Sequence, residues 1–189
     1  MKQKKTIPWN FSEKQKDYLN RCKTATYNFA EGAVRSGKTV CNILAFARAL
    51  ETSPDRLHLA TGVTIAAAKL NLGDCNGFGL EHLFRGRCRW GRYHDNPALF
   101  TETKTGQKII IFAGGGKADS YKRIRGNSYG LWLATEVNKH YISDDDKKTI
   151  IPPHSGGYFS FGHSPNNTGC AQVRLWVDLP VMHGVTCYP

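Results

Sequence analysis

The run Gly32-Ala33-Val34-Arg35-Ser36-Gly37-Lys38-Thr39 has the order G-x-x-x-x-G-K-[ST], and each fixed position has a chemical job. The glycines let the backbone turn tightly so that successive N–H groups face an anion. Lys38 reaches toward β- and γ-phosphates, and the Thr39 hydroxyl suits a magnesium ion. Such a loop binds nucleotide, whereas hydrolysis also needs a group at the end of another strand to hold the metal shell and polarise water. Leu131-Trp132-Leu133-Ala134-Thr135-Glu136 supplies the candidate, an apolar strand whose C-terminal edge carries Thr135 and then Glu136, where ligands bind in open parallel sheets. Glu136 is the expected base or water-orienting group. Thr135 stands where an aspartate is expected for the magnesium shell; its hydroxyl can hydrogen-bond a metal-bound water but brings no charge.

These residues need elements to carry them, and the hydrophobic pattern provides a series. Residues 25–30 read as strand, 37–51 as helix, 57–61 as strand and 64–72 as helix, and residues 108–113 and 130–135 read as two further buried strands. The polar, glycine-containing run 114–128 separates the last two. Strand and helix in alternation imply right-handed crossovers and a mainly parallel α/β sheet flanked by helices. Ahead of this core, residues 1–24 form a polar flank in which Ser12 and Gln15 have capping-box spacing and open a short helix through about Lys23. The core is expected to run over 25–148. Residues 149–189, with Pro152, Pro153 and Pro165 and no helical period, read either as an irregular cap or as sequence that never had to fold with the rest, such as a truncated or frame-altered gene end.

Composition narrows the class. The chain has 189 residues, 40% hydrophobic and 22% charged, the make-up of one globular domain. No apolar run approaches the roughly 20 residues of a membrane span, and the lysine-rich start leads into no apolar signal segment, so a cytoplasmic location and no membrane partner are expected. Lys and Arg number 26 against 15 acids, a net charge of +11, which suggests a polyanionic partner such as nucleic acid. Cys22, Cys41, Cys75, Cys88, Cys170 and Cys187 include no C-x-x-C pair and read as reduced thiols. The densest basic and aromatic cluster is Arg85, Arg87, Arg89 and Arg92 with Trp90 and Tyr93, either a DNA-backbone contact or a solvated loop with one buried tryptophan. Lys122, Arg123 and Arg125, just ahead of the Glu136 strand, have the better claim to contact the DNA backbone. Asp144 to Asp146 read as an exposed helix start, and none of the scattered histidines is expected to be catalytic.

Taken in order, several pieces resemble the ATPase domain of the large terminase subunit of tailed bacteriophages. Asn28 to Thr39 is similar to the terminase form of Walker A, with an arginine inside the loop. Ile110 to Gly116, then Lys122-Arg123-Ile124-Arg125-Gly126-Asn127-Ser128-Tyr129-Gly130, then the Glu136 strand, resemble the family's strand, basic R-G segment and Walker B. Phe11-Ser12-Glu13-Lys14-Gln15 resembles an upstream adenine-reading glutamine motif. The resemblance covers roughly residues 8–148 and implies a P-loop NTPase with a RecA-like sheet of the additional-strand, catalytic-glutamate class. It implies ATP and Mg2+ as ligands, with hydrolysis coupled to translocation of double-stranded DNA in the cytoplasm of a bacterial host carrying the phage or prophage. Gln15 would contact adenine, residues Gly32 to Thr39 the phosphates, and Glu136 the attacking water. Arg35 would act on the γ-phosphate in cis, and Arg125 would lie near the nucleotide or at a subunit boundary. Small terminase subunit, portal protein and a homo-oligomeric ring are the implied partners.

Two departures accompany the resemblance. The family's nuclease domain has no counterpart here, so no nuclease activity is expected. The coupling triplet falls at about His163-Ser164-Pro165-Asn166, in surroundings that do not read as a strand. Two alternatives stay open: another nucleic-acid-dependent ATPase of helicase-like or recombinase-like kind, and a non-catalytic remnant that binds nucleotide without turnover.

Overall fold

A computed structural model describes residues 10–33, 35–116, 124 and 127–136, together with the backbone of 174–179. The N-terminal helix α1, Glu13–Arg21, begins where the capping-box spacing puts it. The Ser12 N–H donates to Gln15 Oε1 at 2.9 Å, and the Gln15 N–H donates to Ser12 Oγ at 3.3 Å. Leu19 is buried, and the Tyr18 hydroxyl donates to Asn42 Oδ1 in the next helix, which fixes α1 against the core.

Strand β1, Tyr27–Glu31, leads through the glycine-containing loop at 32–37 into α2, Lys38–Leu50. The buried residues of α2 include Ile43, Phe46, Ala47 and Leu50, an i, i+3, i+4, i+7 stripe that must find an apolar partner. β2, Leu57–Gly62, returns to the sheet, and its burial on both faces marks it as central. The sheet continues with β3, Cys88–Tyr93, β4, Asn96–Thr103, β5, Gly106–Gly114, β6, Leu131–Ala134, and β7, Arg174–Leu179.

The seven strands lie in the order β1-β7-β6-β2-β5-β4-β3. The first five in that order are parallel, and β4 and β3 extend them as an antiparallel pair. One sheet face packs Ile110, Phe112, Leu131 and Leu133 against the α2 stripe. The other carries Leu59, Ile111, Trp132 and Ala134 with Ile124 and Tyr129 packed against them.

Three differences from the sequence reading matter for the site. The helix expected over 64–72 is a single α turn, α3, Ile65–Ala68, capped by the Thr64 hydroxyl, which widens into a π-helix over Lys69–Asp74. A short 3-10 turn, Cys75–Gly77, and helix α4, Leu80–Leu83, follow. The basic segment 88–93 is the outer strand of a hairpin rather than a loop; its turn is His94-Asp95, with φ of 44° and 63°, the positive values that tight hairpins require. Finally, residues 149–189, read as irregular, contribute β7, which inserts in parallel between β1 and β6. Backbone pairing on both sides gives residues 174–179 an order that the lack of helical period concealed.

Candidate functional site

The C-terminal ends of β1, β6, β2 and β5 all open to one edge of the sheet, and the residues with chemical potential gather there. From β1 the chain turns through Gly32 to Gly37 into the N-terminus of α2. Gly37 has a φ of 83°, a left-handed value that favours glycine, and a Cβ there would lie 2.9 Å from Gln15 Nε2. Arg35 takes φ of 62° and is exposed. Lys38 Nζ donates to the Gly32 carbonyl at 2.8 Å and the Ala33 carbonyl at 2.7 Å, and lies 3.5 Å from Ser36 Oγ. The ammonium is thus gathered over the loop, beside the helix N-terminus, whose first-turn N–H groups and partial positive charge favour an anion.

Gln15 is placed at this loop from α1. Its Nε2 donates to the Ser36 carbonyl at 3.0 Å while its Oε1 takes the Ser12 N–H, so one side chain closes the capping box and braces the loop. The capping-box spacing was visible in the sequence; the brace was not, because it spans 21 residues.

Thr39, Thr135 and Glu136 share the wall of a cavity of about 310 Å³ at this edge. Thr135 is 3% exposed, and its N–H donates to the Thr61 carbonyl at 2.9 Å, which extends the β6 ladder to the brink of the cavity. Glu136 follows with φ of 53°, left-handed backbone that is uncommon outside glycine and recurrent at functional positions. Leu70, Asn71, Cys75 and Asn76 complete the lining. Sequence reasoning singled out none of these four for function.

The donor set fits a nucleotide with magnesium in part by charge and in part by hydrogen bonding. Lys38 and the helix N-terminus supply positive potential, and Thr39 an oxygen ligand. Thr135 offers a hydroxyl suited to a metal-bound water where a carboxylate would add charge.

The hairpin arginines are largely committed to structure. Arg87 Nη2 pairs with Glu51 Oε1 at 2.8 Å, and Arg87 Nη1 donates to the Glu102 carbonyl at 3.2 Å. Partial burial pushes the Glu51 carboxyl up, but Arg87 and the Lys104 N–H outweigh it and hold the group below its usual range. Arg89 stacks over Phe100 at 4.6 Å, Arg92 donates to the Asp95 carbonyl at 2.6 Å, and Arg85 Nη2 lies 3.3 Å from His82 Nδ1. Strand alternation sends Arg89 and Arg92 to opposite faces, so the cluster is not one continuous patch. Trp90 packs inward, with Nε1 donating to Glu81 Oε2 at 2.6 Å and its ring 4.9 Å from that of Phe112. Val34, Lys122, Arg123, Arg125, Asp144 to Asp146 and the triplet at His163–Asn166 lie outside the described residues.

No family model matches the chain, and no curated protein matches it. Among solved structures it is similar to the large terminase from a thermophilic bacteriophage. One crystal form matches with a TM-score of 0.62 and 19% identity over 89% of this chain and 38% of that one. The ADP complex of that terminase matches with a TM-score of 0.62 at 20% identity, and its ATP-gamma-S complex with 0.57 at 17%. The chain spans about 38% of the length of the terminase it matches. At these identities the likeness is one of fold, and the fold of this chain is the α/β P-loop fold found in phage large terminase structures.

Proposed function

We propose that this chain is the ATP-binding and ATP-hydrolysing motor domain of a phage DNA-packaging large terminase subunit, coupling hydrolysis to translocation of double-stranded DNA. The observation that carries the reading is the meeting of Thr39, Thr135 and Glu136 on one cavity, with the phosphate loop and its lysine at the same sheet edge. The fold shared with a terminase solved with ADP and with ATP-gamma-S supports it.

In this reading the loop N–H groups from Gly32 to Gly37, Val34 among them, and Lys38 hold the triphosphate. Gln15 would contact adenine by giving up its bond to the Ser36 carbonyl. Mg2+, held by Thr39 and through water by Thr135, would neutralise charge on the phosphates. Glu136 accepts a proton from the attacking water as its oxygen bonds to the γ-phosphorus and the bond to the bridging oxygen of ADP breaks. Arg35 and Arg125 stabilise the negative charge that develops. Duplex DNA, drawn by the net charge of +11, would meet Lys122 and Arg123 together with whichever of Arg85, Arg87, Arg89 and Arg92 share a face, since Arg89 and Arg92 point to opposite sides of their strand and Arg87 is paired with Glu51. Small terminase subunit, portal protein and a homo-oligomeric ring are the partners such a motor uses in an infected or lysogenic host's cytoplasm.

The test is thermal unfolding with and without magnesium and ATP, in the natural chain and in Lys38→Ala. A ligand that binds only the folded state adds about 2.7 kcal/mol at a hundredfold excess over its dissociation constant. A rise in the natural chain that Lys38→Ala abolishes is expected, followed by magnesium-dependent hydrolysis faster with duplex than with single-stranded DNA. No rise in a cooperatively melting chain sinks the nucleotide site; preference for single strands moves the reading to a helicase-like or recombinase-like motor. The buried Thr135 hydroxyl favours one second reading, a domain that binds nucleotide without turnover, and binding without hydrolysis would select it.

A further inference from the structure

The cavity wall that faces Thr39, Thr135 and Glu136 is built by an unusual stretch of backbone. The π-helix Lys69–Asp74 runs directly into Cys75, Asn76 and Gly77, whose φ values are 44°, 49° and 86°. Left-handed backbone at a residue with a Cβ costs on the order of 1–2 kcal/mol, and π-helical widening recurs at functional sites, so both persist where neighbours impose them.

Those neighbours are identifiable. Gly73 lies so close to Trp90 that an added Cβ would stand 2.8 Å from its ring, and Gly79 is closer still to the Gly73 carbonyl. Asp74 Oδ2 accepts the Asn76 N–H at 3.0 Å, and Asp74 Oδ1 lies 3.0 Å from His82 Nε2. Lys69 sits over the Trp90 ring at 4.7 Å. The hairpin and α4 therefore clamp this wall in place, and its polar content is fixed in advance of any ligand.

Asn71 is the half-buried polar residue on the π-helical part of that wall. Its side-chain amide has no hydrogen-bond partner among the described residues. A neutral amide offers two N–H donors and one acceptor, which suits a phosphoryl oxygen and a water at once without adding positive charge. It lines the same cavity as the candidate metal hydroxyl and the candidate base, where a terminal phosphate would end.

We infer that Asn71 binds the terminal phosphate of the nucleoside triphosphate and makes the site distinguish triphosphate from diphosphate. The inference rests on the nucleotide-binding reading above. A hydrogen bond to a charged group contributes about 1.5–3 kcal/mol, which corresponds to roughly tenfold or more in affinity.

The experiment measures ADP and ATP-gamma-S affinities with magnesium in the natural chain, Asn71→Ala and the nearly isosteric Asn71→Asp. Expected is ADP affinity within about twofold of natural in Asn71→Ala, with ATP-gamma-S weakened roughly tenfold, and a larger selective loss in Asn71→Asp, whose carboxylate repels phosphate. An unchanged ratio of the two affinities in both variants overturns the inference and leaves the nucleotide site standing. An equal loss for both nucleotides, the signature of a disturbed wall, also overturns it. A natural chain that binds neither nucleotide overturns this inference together with the reading on which it rests.

Discussion

Replacing Gly37 by alanine tests the geometry of the phosphate loop, because the cost divides into two parts that a double-mutant cycle separates. At φ of 83° the new Cβ meets the left-handed penalty, roughly 1–2 kcal/mol. It also stands 2.9 Å from Gln15 Nε2, which must swing away and release the Ser36 carbonyl. That hydrogen bond is neutral and solvent-facing, worth about 0.5–1 kcal/mol. Gly37→Ala should therefore destabilise by roughly 1.5–3 kcal/mol in all. Gln15→Ala loses the same brace and the reciprocal bond to the Ser12 N–H, about 1–2 kcal/mol together. In the double variant the brace is lost only once, so its cost should fall short of the sum by about 0.5–1 kcal/mol. The assay is urea unfolding of the nucleotide-free chain, with the slope against denaturant unchanged across the set. If the two substitutions add to within roughly 0.3 kcal/mol, Gln15 does not brace the loop and the reasoning fails.

Two further perturbations probe the core and the cavity. Burial lowers the His58 pKa from 6.5 to about 4, with the Asp55 carbonyl beside Nε2 opposing and the Lys108 charge assisting; Nδ1 is buried without a partner. The unfolded chain therefore binds this proton first, so stability is full above about pH 6.5 and falls by up to about 3 kcal/mol as pH drops toward 4. Denaturation of His58→Leu across that range should lose most of this slope, and an identical slope would contradict the assignment. Thr135→Asp places a carboxylate at the edge of the cavity; the magnesium concentration for half-maximal hydrolysis should fall, turnover should rise at least tenfold, and the metal-free chain should be less stable because a buried charge is unpaired. Unchanged magnesium dependence would show that position 135 does not face the metal.

The legible parts of this protein are those in which chemistry and local pattern coincide. The segment from β1 through the loop to α2 has a dense motif, a strand before it and an amphipathic stripe after it, all within about 25 residues, and its observed boundaries differ from the expected ones by a residue or two. β6 was legible because four apolar residues end abruptly in Thr135 and Glu136. The hairpin was not, because an outer strand with arginines on both faces lacks clean alternation, and His94-Asp95 takes a turn conformation that usually announces itself through glycine. The π-helix was hidden for a related reason. Residues 64–72 do have helical composition, and it is the close approach of Trp90 to Gly73, across 17 positions of sequence, that accompanies the widened turn. Asn71 reaches the cavity through that tertiary constraint, so no spacing rule could have selected it.

The strand order carries a final consequence for how the site is assembled. β1 and β2 are consecutive strands of the α/β core, yet β7 and β6 lie between them in the sheet. Among the described strands, β1 pairs only with β7, from Tyr27 against Leu175 to Glu31 against Leu179. β7 in turn pairs with β6, from Leu131 against Arg174 to Ala134 against Val177. The backbone path that fixes the phosphate loop relative to Thr135 and Glu136 therefore runs through residues 174–179, more than 140 positions after the loop's own strand. The packing of Phe46 and Leu50 in α2 against Leu131 and Leu133 is the second tie, and it acts through side chains on one face only. Parallel pairing over such a separation carries a loop-closure cost that local pairing does not. The two halves of the chemistry are thus encoded in separate, locally readable segments, while their distance from one another is set by the stretch of sequence whose local pattern says least.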